Sequence, residues 1–218
     1  MHFGPGLTHP IKVRHFLLLA IAAAVLSMPA RTSAQTPQDP AEVTGAVTVK
    51  QKWQFFVEET FTPLTIVASA ATGGESQATN TDPKYGVGHV ALEKRLGAAT
   101  LDNVTQNFFS DFVMASVLHE DTKYRRRGEQ HGFWSRVGYA ISRAVVTRTN
   151  AGASTVNLSN FTGTALSVGL SNAYYPVSSR NLNATLINWG SSTASAGFGN
   201  LFPEFVPDFK RWLKRIHL

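Results

Sequence analysis

Residues 159–176 read "SNFTGTALSVGLSNAYYP", with helix signals at both ends. Ser159 is placed as a helix N-cap and Pro176 as a stop. Between them small residues recur at every fourth position, Ala165, Gly169 and Ala173 in one row and Gly163, Ser167 and Ser171 in the next. A repeat of four stacks side chains on one helix face, whereas a strand repeats at two. A row of small side chains also lets a second backbone approach closely. The stretch therefore predicts a helix that packs through a Gly/Ala/Ser face.

Residues 178–202, "SSRNLNATLINWGSSTASAGFGNLF", repeat the theme with Gly190 and Ala194, and with Ser191, Ser195 and Gly199. Gly163, Ala165, Gly169, Ala173, Gly190 and Ala194 are the expected helix-packing residues. Neither segment is apolar enough to span a bilayer, because Asn181, Asn183, Asn188 and the Ser/Thr run would be costly in lipid. A barrel reading of "TLINWGSSTASAGFG" fails for want of company. A transmembrane barrel needs many alternating segments of about ten residues, and the chain upstream shows helical spacing.

That spacing begins with Trp53, Phe56, Val57, Thr60, Phe61, Leu64 and Val67, three and four apart, with Pro63 set to kink or split the helix. Gly73-Gly74 is the expected end, followed by the polar loop "ESQATNTDPKYG". A second helix carries Leu92, Leu96, Leu101, Val104, Phe108, Phe112 and Ala115 and runs to about Leu118. A third starts near Phe133, with Val137, Ile141, Ala144 and Val145 on one side and Arg136 and Arg143 on the other, and "RTNAGAS" breaks it. The end, "PEFVPDFKRWLKRIHL", reads as a basic amphipathic helix with Phe205, Phe209, Trp212 and Ile216 against Lys210, Arg211, Lys214 and Arg215. The fold class is all-α: one helical bundle of about five to six helices over residues 48–218.

Residues 1–34 read as a signal peptide. Lys12, Arg14 and His15 precede the apolar run "FLLLAIAAAVLSM", and Thr32 and Ala34 are the small pair before a cut at Gln35. The run is shorter than the roughly 20 residues of a membrane span. Residues 35–47, "QTPQDPAEVTGAV", read as a flexible mature N-terminus. Lys12, Arg14 and Arg31 leave with the signal and no acid does, which lowers the formal charge from +6 to +3. That balance is too weak to imply nucleic acid. With no cysteine, an exported domain must hold itself by packing alone.

The chemistry-bearing stretch is "SVLHEDTKYRRRGEQHGFW", residues 116–134. His119, Asp121 and His131 are the candidate metal ligands or hydrolase residues. Ligands on a helix want spacings of three or four, and His119, Glu120 and Asp121 are adjacent, so a helix end fits them better. In that reading His119 favours the terminal carbonyls and Asp121 caps the next turn. Arg125, Arg126 and Arg127, with Lys210, Arg211, Lys214 and Arg215, are the candidate anion or lipid-headgroup ligands. Ser171 in "GLSNA" lacks the strand-then-helix setting of a nucleophile elbow. No cofactor is implied.

Three segments in order, "LHEDTKYRRRG", "GFWSRVGYAISRAVVTRTNAG" and "GLSNAYYP", resemble an uncharacterised group of secreted proteins common in acidobacterial genomes. The resemblance runs from about residue 50 to 215. Lys123 stands where the group's pattern has Arg, and Asn150 where it has Asp. The likeness implies export and a shared fold; it carries no activity. The expectation is an exported, non-enzymatic envelope protein of a Gram-negative bacterium, in the periplasm or at the outer membrane. It would meet anionic membrane or other copies of itself. The competing class is a periplasmic hydrolase using His119, Asp121 and His131.

Overall fold

A computed structural model of the chain describes residues 47–216. The signal peptide expected at 1–34, and all but the last residue of the segment expected to be flexible at 35–47, lie outside the described residues. Helix α1, Val49–Thr60, opens on a capping box in which Thr48 and Gln51 each bond the other's backbone N–H. Phe61 and Thr62 interrupt the chain, and Pro63 becomes the first residue of α2, Pro63–Thr79. Its missing N–H is harmless there, so the expected kink is a clean break.

Helix α2 does not end at Gly73-Gly74. A Cβ on Gly73 would lie 3.1 Å from the Leu96 Cα, so this glycine permits close approach to the next helix. That helix, α3, spans His89–Asn107 and runs on through a π-helical segment, Phe108–Met114, and a last turn, Ala115–Val117. Trp53 and Phe56 of α1 meet this segment in an aromatic cluster, with ring centroids 5.1 Å apart for Trp53–Phe112 and 5.6 Å for Phe56–Phe108.

Next comes a feature that helical periodicity could not announce, a small antiparallel sheet in the order β1-β2-β3. β1 is Glu120–Asp121; β2, Val146–Thr149, and β3, Ser154–Val156, form a hairpin around the expected breaker. Helix α4, Phe133–Ser142, lies between β1 and β2 in sequence. Helices α5, Leu158–Ser171, α6, Leu182–Gly199, and α7, Leu201–Ile216, complete a mostly helical bundle. No helix among the described residues is long and apolar enough to cross a membrane.

α5 sits at the centre, against α3 with its π-helical segment on one side and α6 on the other. Its N-cap is Asn157, whose Oδ1 accepts from the Asn160 N–H at 3.0 Å. Ser159, the expected cap, is instead buried inside the first turn. Of the two small-residue rows the structure buries only Gly163, Ser167 and Ser171; Ala165, Gly169 and Ala173 face outward. The reason is hydrogen bonding. The buried side carries hydroxyls that meet partners on the flanking helices, Ser167 Oγ with Thr105 Oγ1 at 2.8 Å and Thr164 Oγ1 with Thr193 Oγ1 at 2.9 Å. The Ala/Gly row offers no such group. In α6 the expected packing residues Gly190 and Ala194 are likewise exposed, while Ala184, Thr193 and Gly197 turn inward. A Cβ on Gly197 would lie 2.6 Å from the Ile141 carbonyl oxygen of α4.

The same inversion runs through the molecule. Lys52, Arg95, Glu120, Arg136, Asn157, Asn160 and Glu204 are buried, whereas Trp134, Leu166, Leu170, Leu182, Ile187 and Phe198 are exposed. Arg136, expected on the solvent side of α4, is among those turned inward. Interhelical hydrogen bonds substitute for much of an aliphatic core: Asn160 donates to the Ala144 and Thr193 carbonyls, and Trp189 Nε1 to the Phe161 carbonyl.

A glycine swap separates the two rows of α5. A Cβ on Gly163 would come within 2.5 Å of the Ser110 nitrogen, whereas one on Gly169 meets nothing within 4 Å. Gly163→Leu should lower stability by about 1–3 kcal/mol or more through overpacking, and Gly169→Leu should leave the melting temperature nearly unchanged. Equal effects in thermal denaturation would overturn the assignment of the faces.

Candidate functional site

The arginine-rich stretch resolves around one carboxylate. Glu204, on the first turn of α7, is 0 % exposed. Its Oε2 accepts from Tyr124 Oη at 2.7 Å and the Arg127 N–H at 3.0 Å, and its Oε1 from Arg136 Nε at 2.6 Å and the Gly128 N–H at 3.2 Å. The Glu204 carbonyl accepts from Arg126 Nε at 3.0 Å and Arg136 Nη2 at 2.8 Å. Four residues further on, Asp208 takes Arg126 Nη2 at 2.6 Å, Arg211 Nη2 at 2.6 Å and also Arg136 Nη2. Burial alone would raise both acids; the hydrogen bonds from Arg136, Tyr124 and the loop N–H groups lower Glu204, and the arginines lower Asp208 to about 2.

The expected site residues therefore part company. Arg125 pairs with Asp121 at 2.6 Å, Arg126 with Asp208, and Arg127 lies over the Tyr139 ring at 5.5 Å. The three arginines are held by the protein rather than projecting freely from a loop, because α7 supplies acids that the reading of its basic residues passed over. Arg211 is also paired, with Glu129 at 2.8 Å. Lys214 and Arg215 are exposed and Lys210 is half-buried.

His119 ends α3 in the left-handed conformation, φ 57°, and is exposed, with its carbonyl accepting from the Asn150 N–H. His119 thus follows the last turn of α3, whereas Glu120 and Asp121 belong to a strand and not to the helix end. Glu120 and Asp121 then alternate across β1. Glu120 caps the N-terminus of α5, accepting from the Leu158 and Ser159 N–H groups at 3.3 and 2.9 Å and from Ser159 Oγ at 2.6 Å. Asp121 accepts from the Lys123 N–H at 3.2 Å, the turn cap expected of it. His131 lies in the following turn, and no group of three His, Cys, Asp or Glu among the described residues could hold a metal ion.

Polar clusters organise other corners. Arg95, 1 % exposed, donates to the Thr81 and Gly86 carbonyls, to Asn80 Oδ1 and to Ser76 Oγ, and so shapes the loop after α2. Tyr174 and Tyr175 of the "SNAYYP" segment donate to the two oxygens of Asp102 at 2.5 and 2.6 Å. Lys52 Nζ donates to the Ala115 carbonyl at 2.6 Å, and burial lowers its pKa against the pull of Asp121 and Glu120.

Between these clusters runs a hollow of about 770 Å³ whose lining includes Glu59, Asn107, Asp111, Lys123 and Asn160. Enclosure by the walls of the hollow, and then the charges of Asp111 and Glu58, push Glu59 up to about 8 against the opposing Lys123, although its own surface stays open to the hollow. Burial raises Asp111, on the π-helical segment, to about 6 although Thr122 hydrogen-bonds it. Sequence reading missed Glu59, Asp111 and Glu204, and took Glu120 only as part of a helix end. The one available signal was the spacing of Glu204 and Asp208, four apart on an otherwise basic helix.

No known family model, curated protein or solved structure matches the chain.

Two outcomes test these electrostatics. Glu204→Gln strips the charge that faces buried Arg136, so it should cost about 3–5 kcal/mol, read by chemical denaturation; a loss below about 1 kcal/mol would deny Glu204 its central place. Glu59 and Asp111 have folded pKa values raised above their unfolded ones, so their stabilisation is full at low pH and is lost as pH rises through about 6 and then about 8. Melting temperature should therefore fall across that window, and Glu59→Gln should flatten its upper part. An unchanged slope in the variant would remove Glu59 as the titrating group.

Proposed function

We propose that the chain is an exported, non-enzymatic helical protein of the Gram-negative cell envelope, periplasmic or outer-membrane-associated, whose outer surface is covered by membrane or by further copies of itself. The observation that carries this reading is the inverted distribution of polarity. Leu158, Leu166 and Leu170 of α5 and Leu182, Leu186, Ile187 and Phe198 of α6 are exposed, while hydroxyls, amides and charges fill the spaces between helices. Large apolar side chains left exposed while polar groups are buried support an interaction surface on these helices. At about 25 cal/mol per Å², covering each of these side chains is worth of order 1–3 kcal/mol. The order of charged, apolar and small residues over 12–34 supports export, as does the resemblance to the secreted acidobacterial group. The hydrolase alternative gains no support: Asp121 is committed to Arg125, and His119 lies exposed at a helix end.

Cell fractionation followed by high-salt and carbonate washes tests this directly. The protein should sediment with envelope membranes and be released by the salt or the carbonate wash, and mass spectrometry should find Gln35 at its N-terminus. A soluble cytoplasmic pool retaining Met1 would sink the proposal.

A further inference from the structure

Helix α7 has two halves with different tasks. Its N-terminal half turns both of its acids inward, Glu204 onto Tyr124, Arg136 and the loop, and Asp208 onto Arg126, Arg136 and Arg211. Its C-terminal half is left with bases and aromatics. Phe209, Trp212 and Ile216 are 42 %, 55 % and 56 % exposed, with the Phe209 and Trp212 rings stacked at 5.7 Å. At 100° per residue these three share a face with Phe205. Arg215 lies about 90° from the centre of that face, Lys210 and Arg211 about 130°, and Lys214 nearly opposite it. Phe205 continues the row onto α4: its ring meets Phe133 at 5.2 Å, and Phe133 meets Trp134, which is 80 % exposed, at 5.1 Å.

From this arrangement we infer that the outer face of α7, extended by Phe133 and Trp134, docks on an anionic lipid bilayer surface. The assignment rests on the envelope reading above and names which surface meets which partner. Charge complementarity selects the occupant: the helix's own acids are consumed by internal pairs, and the acid beside Arg211, Glu129, is paired with it. What is left outside is therefore an aromatic row with Lys210, Lys214 and Arg215 on the arc behind it. An interfacial helix has this composition, with rings at the depth of the acyl boundary and ammonium or guanidinium groups reaching back to the phosphates. Tryptophan and phenylalanine are costly to leave in water and comfortable at that depth. A second copy of the chain offers a poorer match, since its own corresponding face is equally basic. Sixteen residues carrying four bases suit a helix that lies in the interface, not one that crosses about 30 Å of hydrocarbon.

The inner acids make the arrangement stiff. Pinned by Glu204 at its start and Asp208 one turn later, α7 presents its row in a fixed orientation, so little ordering entropy is lost on docking.

The test is co-sedimentation of the purified protein with vesicles of phosphatidylcholine alone and of phosphatidylcholine with 30 mol % phosphatidylglycerol (about a third anionic, enough to set up a surface potential). Binding should be far tighter to the anionic vesicles and weaken as salt rises toward about 1 M, where the Debye length shrinks to about 3 Å. The variant Lys210→Gln/Lys214→Gln/Arg215→Gln avoids the paired Arg211 and should keep the melting temperature while losing about a hundredfold in affinity. Trp212→Ala should weaken binding to the anionic vesicles without changing its salt dependence. Equal binding of variant and wild type to anionic vesicles would overturn this inference. If such charge-independent binding also extends to the neutral vesicles, the envelope reading stands while this surface loses its partner. Binding to neither vesicle, with a dimer in solution whose Trp212 is shielded from quencher, would overturn the lipid assignment in favour of a second copy.

Discussion

The buried Glu204 carboxylate is the constraint on which the arrangement of α4, α7 and the arginine-rich segment depends. A lone carboxylate inside a protein costs several kcal/mol in lost hydration. Each charge-assisted hydrogen bond returns about 1.5–3 kcal/mol, so the four that reach Glu204 offset that cost only when all are made together. That requirement fixes the geometry. Tyr124 and the Arg127 and Gly128 amides come from the loop after β1, Arg136 from α4, and Glu204 from α7. None can shift without leaving a charge unpaired. The net stabilisation is modest, but the specificity is high.

The same logic extends through a bundle with few large apolar residues at its centre. Helix α5 is surrounded by Thr105, Thr193 and Asn160 hydrogen bonds rather than by interlocking leucines. Hydroxyls and amides hold helices at defined registers, because a slip of one turn breaks a bond outright, whereas a slipped leucine finds another leucine. The aromatic cluster of Trp53, Phe56, Phe108 and Phe112 is the exception, and it anchors α1 to the π-helical segment. With polarity turned inward, the apolar side chains of α5 and α6 are left outside.

The hollow bounded by α1, the π-helical segment and the loop after β1 follows from that polar filling. Side chains that must satisfy hydrogen bonds pack less tightly than interdigitated hydrocarbons. Both Glu59 and Asp111 line it, each made less acidic by its surroundings, and Glu59 further by the charge of Asp111. On α7 the arginines do the opposite to Asp208. Two groups of like chemistry are thus pushed apart by environment alone.

The sequence by itself determined the helices. Period-four spacing over 159–176, the turn formers Asn150 and Gly152, and Pro63 all act through local backbone geometry and mark where helices and turns fall, although α5 is capped by Asn157 and ends at Ser171, and α2 runs past Gly73-Gly74 to Thr79. It determined the helix end at His119 and the turn cap at Asp121 for the same reason. What it left open was direction. Rows Gly163/Ser167/Ser171 and Ala165/Gly169/Ala173 are equally small, and only the hydroxyls of Thr105 and Thr193, brought by distant helices, chose the first for burial. Arg136 read as a solvent residue until Glu204, 68 positions later, turned it inward. The short strand at Glu120–Asp121 exists only because β2 pairs with it. A buried charge cannot be recognised before its partner's position is known, because the electrostatic energy that permits its burial resides in a contact between segments far apart in the chain.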